Sequence, residues 1–132
     1  GGDHLGPIAP KGWINDVVTY VQSLGAPERY SLGIANYGIG AGWYTSSKDA
    51  MARCNGGSYT SSTDHMASCP LGHGDAGLSP HCETAQGTVW FEDAASAGEK
   101  AALAKAHGLG GVAYYTLGDE PTGFFDALAA SY

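Results

Sequence analysis

The chain has 132 residues, room for one modest domain, and thirteen Asp and Glu against six Lys and Arg leave a formal charge of −7. That balance excludes a nucleic-acid partner, which needs clustered basic residues to neutralise phosphates, and it suits a neutral or cationic ligand. No apolar run is long enough to span a bilayer, and the 21 glycines are scattered without a collagen-like period.

The chain opens on Gly1-Gly2-Asp3-His4 with neither Met nor a secretory signal, which reads as a processed or truncated polypeptide. After Gly6-Pro7-Ile8-Ala9-Pro10, the apolar residues Trp13, Ile14, Val17, Val18, Val21 and Leu24 recur at spacings of three and four. They predict a helix with one buried face, stopped by Gly25 and Pro27. Tyr30 to Tyr37 reads as a short strand, and Gly38, Gly40 and Gly42 open the loop beyond it. Residues 43–88 are the least regular part, read as a large loop or small insertion packed on a scaffold, with room for a hairpin, a short helix over Lys48 to Arg53 and a Ser/Thr/Tyr run from Ser58 to Thr63. No Asn-x-Ser/Thr sequon occurs.

The pattern sharpens again at Val89-Trp90-Phe91. Ser96 with Glu99 three residues later predicts a capping box, and the helix it opens runs past Lys100 and Lys105 to His107, with Gly108 as its left-handed terminus. Gly111 to Leu117 is a second strand, Gly118-Asp119-Glu120-Pro121 its exit loop, and Phe124 to Ala130 a third helix. Helix, strand, insertion, helix, strand, helix is an α/β order with parallel strands. Two parallel strands alone leave sheet faces uncovered, so the expected architecture is a piece of a larger sheet or barrel. Trp13 and Trp90 are expected to pack between helix and sheet.

Cys54, Cys69 and Cys82 share one polar stretch. This density points to a disulfide and an oxidising compartment; Cys69–Cys82 is the expected pair, with Cys54–Cys69 the other choice. His65, Cys69, His73, His81 and Cys82 also gather zinc-type ligands. Their spacing matches no Cys-x-x-Cys or His-x-x-x-His pair, so no metal site is assigned.

In order and spacing, "GPIAPKGW", "PERYSLGIANYG" and "VWFEDAASAGEKAALAKAHGLGGVAYYTLGDE" resemble the last third of family 18 glycoside hydrolases, chitinase-like enzymes with a branch lytic for spore cortex and cell wall. The match covers roughly residues 5–40 and 83–128, leaving out the cysteine-bearing insert. The resemblance implies the C-terminal portion of a (β/α)8 TIM barrel. Leu32 to Tyr37 would be the seventh strand and Val112 to Leu117 the eighth, residues 1–132 forming part of one barrel domain with 43–88 inserted in it. It places Tyr37, Tyr115 and Asp119 at the C-terminal strand ends, where barrel enzymes keep their active sites, with Trp43 in the following loop. These four are the expected glycan contacts, each with a plainer reading as rim packing or a solvated acid; Glu120 beside them is read as a solvated or helix-terminal acid.

Two departures matter. Tyr115 stands where the family commonly has a Trp under the sugar, so stacking there has less area. The catalytic D-x-x-D-x-D-x-E signature and the Met-x-Tyr-Asp element do not occur in these residues. The resemblance therefore implies a glycosidase fragment for N-acetylglucosamine-containing glycans, chitin or peptidoglycan, secreted or cell-surface, inactive alone and without cofactor. Its partners would be the glycan and either the remaining barrel segment or other copies of the chain. The competing expectation is a non-catalytic carbohydrate-binding or assembly module on a degenerate barrel piece.

Overall fold

The structure, a computed structural model, describes residues 8–54 and 80–132. The first helix, α1 (Lys11–Ser23), turns Ile14 and Val18 into the core and ends at Gly25, whose φ of +78° suits glycine. Trp13 and Leu24 stand about half exposed, so the buried stripe is narrower than the periodicity predicts. A 3₁₀ turn (Pro27–Arg29) leads into β1 (Ser31–Ala35), where Leu32 and Ile34 point inward.

The strand β1 pairs in parallel with β6 (Gly111–Tyr115), from Ser31 opposite Gly111 to Ala35 opposite Tyr115. Both strands are shorter than the sequence predicts. The backbone N–H of Asn36 donates to the Tyr115 carbonyl at 2.7 Å, and the chain then enters a different sheet at Tyr37.

The helix before β6 is α3 (Ala94–Ala106). Its capping box lies three residues before the expected one. Asp93 is the N-cap, accepting from the Ser96 N–H at 2.8 Å, while the Asp93 N–H donates to the Ser96 hydroxyl oxygen at 3.0 Å. Ser96 is thus the third helical residue; Asp93, in extended backbone, has the shorter reach to the free N–H groups. Gly108, at φ +74°, follows the helix end as anticipated. The last helix, α4 (Phe124–Ser131), lies tightly on α3. A Cβ on Gly98 would sit 3.1 Å from Ser131 Oγ, so the glycine sets the approach. Ala97, Ala101 and Ala104 with Ile14, Val18, Leu32, Ile34, Leu109, Phe124 and Leu128 form the first core.

Between β1 and α3 the described residues build a four-stranded antiparallel sheet, ordered β3-β2-β5-β4: β2 (Tyr37–Gly40), β3 (Trp43–Ser46), β4 (His81–Thr84) and β5 (Gly87–Trp90). Trp43 lies over Gly40, where a Cβ would come within 2.1 Å of the indole. Short helix α2 (Ser47–Arg53), capped by Ser46, packs Ala50 and Cys54 against Cys82, Val89 and Phe91 as a second core. Trp90 is buried in β5 and stacks on His81 at 4.3 Å, while Trp13 is not packed between helix and sheet.

The disulfide joins Cys54 to Cys82, with Cα atoms 5.8 Å apart, in place of the expected Cys69–Cys82. The end of α2 packs against β4, which brings Cys54 to Cys82; Cys69 lies outside the described residues, as do His65, His73 and Ser58–Thr63. Among the described residues no three His, Cys, Asp or Glu gather as a metal site, and no helix is long and apolar enough to cross a membrane.

Two predictions follow from these ties. The bridge closes a separation of 28 residues, and its loss should cost about 3.5 kcal/mol through the unfolded chain. Peptide mapping without reductant should recover Cys54 and Cys82 in one species, and denaturation of Cys54→Ala/Cys82→Ala should read the loss. Separately, the buried Lys100 ammonium is ion-paired with Glu92 and donates to the Ile8 carbonyl at 3.0 Å. Lys100→Met should lower unfolding free energy by about 3–5 kcal/mol by stranding the Glu92 charge, and the double change to Met with Glu92→Gln should recover part of it.

Candidate functional site

The chain passes from the parallel pair to the antiparallel sheet through one residue, Asn36, and this opens a hollow between the sheets. Tyr37 begins β2 immediately after the junction, and Tyr115 ends β6 across from Ala35. Together with Tyr44, Thr45 and Asp119 they line a cavity of about 470 Å³. Tyr44 and Tyr115 are 77% and 70% exposed, unusual for large aromatics that have a core available to them. Sugar rings carry apolar C–H faces beside hydroxyls, so exposed phenol faces edged by hydroxyls and a carboxylate are chemically matched to a glycan. A second hollow of about 400 Å³ adjoins the first, sharing Tyr37 and Tyr115 and lined besides by Trp13, Ile34 and Tyr114.

Three of the four expected contacts, Tyr37, Tyr115 and Asp119, are thus brought together. Trp43 lines neither hollow: it lies over Gly40, with the Arg53 guanidinium 5.0 Å from its ring. Tyr44 and Thr45, its neighbours on β3, take the place at the cavity. The segment Gly42-Trp43-Tyr44-Thr45 carried the aromatic signal, but the register of β3 on β2 sets Trp43 opposite Gly40, at the far end from Tyr37, and leaves Tyr44 and Thr45 nearer the hollow.

The exit loop of β6 is held by a network around its acids. The Thr116 hydroxyl donates to Asp119 Oδ2 at 2.5 Å. Glu120 Oε2 accepts from the Gly118 N–H at 2.7 Å and from Asn36 Nδ2 at 3.3 Å, and Asn36 Nδ2 also donates to the Thr116 carbonyl at 2.6 Å. From α2, the Lys48 N–H reaches the Asp119 carbonyl at 3.2 Å and its ammonium the Gly118 carbonyl at 2.6 Å. Hydrogen bonding by its own backbone N–H, then by Gly118 and Asn36, with the Lys48 charge nearby, holds the Glu120 carboxyl below the ordinary glutamate value of 4.5 against the opposing effect of desolvation. Glu120 is therefore a loop staple rather than a solvated acid.

No family model and no curated protein matches the chain. Solved structures do. A chitinase from Chromobacterium violaceum is 30% identical, with a TM-score of 0.70 over 96% of this chain and 40% of that one. A class V chitinase from Pseudomonas fluorescens is 23% identical, with a TM-score of 0.71 over 99% of this chain and 42% of the other. The spore cortex-lytic enzyme of Bacillus cereus is 24% identical at a TM-score of 0.73, over 99% and 31%. The resemblance to the C-terminal part of family 18 enzymes is thus borne out, and the chain spans less than half the length of these structures.

The staple has a pH signature. A carboxyl whose folded value is depressed supplies its stabilisation above the ordinary glutamate value, and loses it as pH falls through the lower folded value. The Gly118 amide resonance should titrate with a midpoint below 4.5, and its hydrogen exchange should quicken on the acid side of that midpoint. Glu120→Gln should abolish this titration.

Proposed function

We propose that the chain is the C-terminal portion of a glycosidase acting on N-acetylglucosamine-containing glycans such as chitin or peptidoglycan. In this reading β1 and β6 are the seventh and eighth strands of a (β/α)8 barrel, and the antiparallel sheet is an insertion forming a wall of the cleft. The observation that carries it is the meeting of Tyr37, Tyr115 and Asp119 at one cavity beyond the C-terminal ends of two parallel strands. Likeness to a chitinase over 96% of the chain supports the same reading. The open strand edges, and the apolar hollow of Trp13, Ile34 and Tyr114, suit docking of the remaining barrel or of other copies of the chain. The disulfide suits a secreted or cell-surface protein.

Chemistry in such enzymes is substrate-assisted: the acetamido oxygen attacks the anomeric carbon while an acid protonates the leaving oxygen. The present residues have groups to hold the sugar, with Tyr115 beneath and Tyr37 at its side. Glu120 is committed to the loop through its bonds to Gly118 and Asn36. A positioned acid typically contributes about 10²–10⁴-fold, and none is supplied here. Tyr115 in place of Trp, with no D-x-x-D-x-D-x-E run in the chain, favours a second reading as a non-catalytic glycan-binding module.

Assays of the purified 132-residue chain on chitin oligomers and peptidoglycan should give no turnover. Joining it to an upstream barrel segment carrying the acid should bring activity, and Tyr115→Ala in that context should weaken substrate binding about tenfold. Turnover by the chain alone, abolished by Glu120→Gln, would place the chemistry elsewhere than proposed. Glycan binding without activity in the joined protein would favour the non-catalytic module.

A further inference from the structure

With Tyr115 70% exposed, packing does little to aim its ring. The direction of the side chain is set by the backbone instead, and a single residue holds that backbone. The Asn36 N–H donates to the Tyr115 carbonyl at 2.7 Å, and the Asn36 side-chain amide donates to the next carbonyl, that of Thr116, at 2.6 Å. Two successive carbonyls held from one residue fix the backbone torsions between them, and so the direction in which the Tyr115 Cβ leaves the chain. Tyr37, which lines the same cavity, is the next residue after Asn36. The sense of the amide is set by acceptors alone. Its Nδ2 meets the Thr116 carbonyl and, at 3.3 Å, Glu120 Oε2, whereas its buried Oδ1 receives no donor from a described residue. Turning the amide over would set an oxygen against both acceptors. Glu120 therefore helps to keep Nδ2 on Thr116, although it lines neither tyrosine hollow.

We infer that Asn36 is a positioning residue for glycan binding: backed by Glu120, it aims Tyr115 at the sugar without touching the sugar itself. The inference rests on the glycan-binding reading above and adds what sets the affinity of that site. Asn36 is fully buried and lines neither hollow, so any effect it has on a ligand passes through Tyr115 and the loop that follows. Stacking is sensitive to such control. A gap of about 0.5–1 Å between two faces already forfeits a quarter to a half of their dispersion attraction, and an exposed ring has no packing to correct a misdirected Cα–Cβ bond. Tyr44 stands on β3, to which none of these Asn36 bonds runs, so its place in the cavity does not depend on the amide.

The probe is fully N-acetylated chitotetraose, titrated into the 132-residue chain with tyrosine ring resonances as the readout and the folded fraction followed in parallel. Asn36→Asp keeps the shape of the side chain. Because Oδ1 has no donor to lose, it alters only the side facing Thr116 and Glu120. At about pH 7 the folded variant should bind about tenfold more weakly, and the shift of Tyr115 at saturation should shrink while that of Tyr44 is retained. Burial and the Glu120 charge hold the introduced carboxyl above the ordinary aspartate range, and its protonation restores a donor. Affinity should therefore climb back as pH falls from about 7 to about 5, while that of the unaltered chain stays level. Asn36→Asp with Glu120→Gln removes the opposing charge and should regain part of the lost affinity at pH 7. Unchanged affinity in folded Asn36→Asp overturns the inference and keeps the glycan reading. So does a loss in which the Tyr44 and Tyr115 shifts shrink alike, which assigns Asn36 to the fold as a whole. Where Asn36→Asp does not fold, Glu120→Ala decides: it removes the acceptor behind the amide and should weaken binding about threefold, and no change overturns the inference. Failure of the tetramer to shift Tyr115 in the unaltered chain overturns the glycan reading and the inference with it.

Discussion

Asn36 is the residue on which the arrangement of the two sheets turns. It is fully buried at the end of β1, and the chain changes sheet across it. Its N–H extends the parallel ladder by one bond to Tyr115, and its side-chain amide then bonds the Thr116 carbonyl and Glu120. One side chain therefore caps the neighbouring strand and fixes the loop that follows. A buried carbonyl left without such a donor costs about 1–3 kcal/mol, so an apolar residue is a poor substitute. Because the junction is a single residue long, Tyr37 has to emerge beside Tyr115. The hollow between the sheets follows from that connection.

The chain returns to the first core through a second polar lock. Phe91, Glu92 and Asp93 are buried on leaving β5, and Glu92 receives the Ser96 hydroxyl at 2.6 Å and the Lys100 ammonium. Burial pushes the Glu92 carboxyl up while Lys100 pulls it down, with desolvation the larger of the two. Such a pair contributes little net stability compared with apolar packing, and its use is geometric. It fixes the first turns of α3 against the exit of β5, and through the Ile8 carbonyl against the segment preceding α1. An apolar pair would permit several packings there; an ion pair with defined donors permits few.

Much of the parallel half was legible in the sequence. The stripe of Ile14 and Val18, the glycine stops at Gly25 and Gly108, and the apolar strands around Ile34 and Val112 are local signals, and local signals survive into the fold. Tertiary bonding settled what was misread. Ser96 and Glu99 match a capping box in pattern, yet Asp93 is better placed. Trp13 obeys the helical period, but no described element covers it. Between 37 and 90 the strands are only four residues long, and glycines at 38, 40 and 42 read as the opening of a loop. Two of these glycines stand where packing needs the space: a Cβ on Gly38 would come within 2.9 Å of Ala50, and one on Gly40 would strike Trp43. Composition alone cannot separate a glycine in a turn from one under a ring. Cysteine pairing depends in the same way on where α2 lies.

That helix also explains how the insertion and the β6 loop act as one wall. With seven residues, α2 is too short to persist by intrinsic propensity, so its order comes from what holds its ends. At its N-terminus Ser46 caps the Asp49 N–H, and Lys48 grips Gly118 and Asp119. At its C-terminus Cys54 is bonded to Cys82 of β4, and Arg53 lies over Trp43 of β3. The helix is therefore a strut between the loop carrying Asp119 and the sheet carrying Tyr44. Movement of either wall must strain the disulfide end or break the Lys48 grip. The spacing of the two aromatic walls is thus set by α2, a helix that itself lines neither hollow.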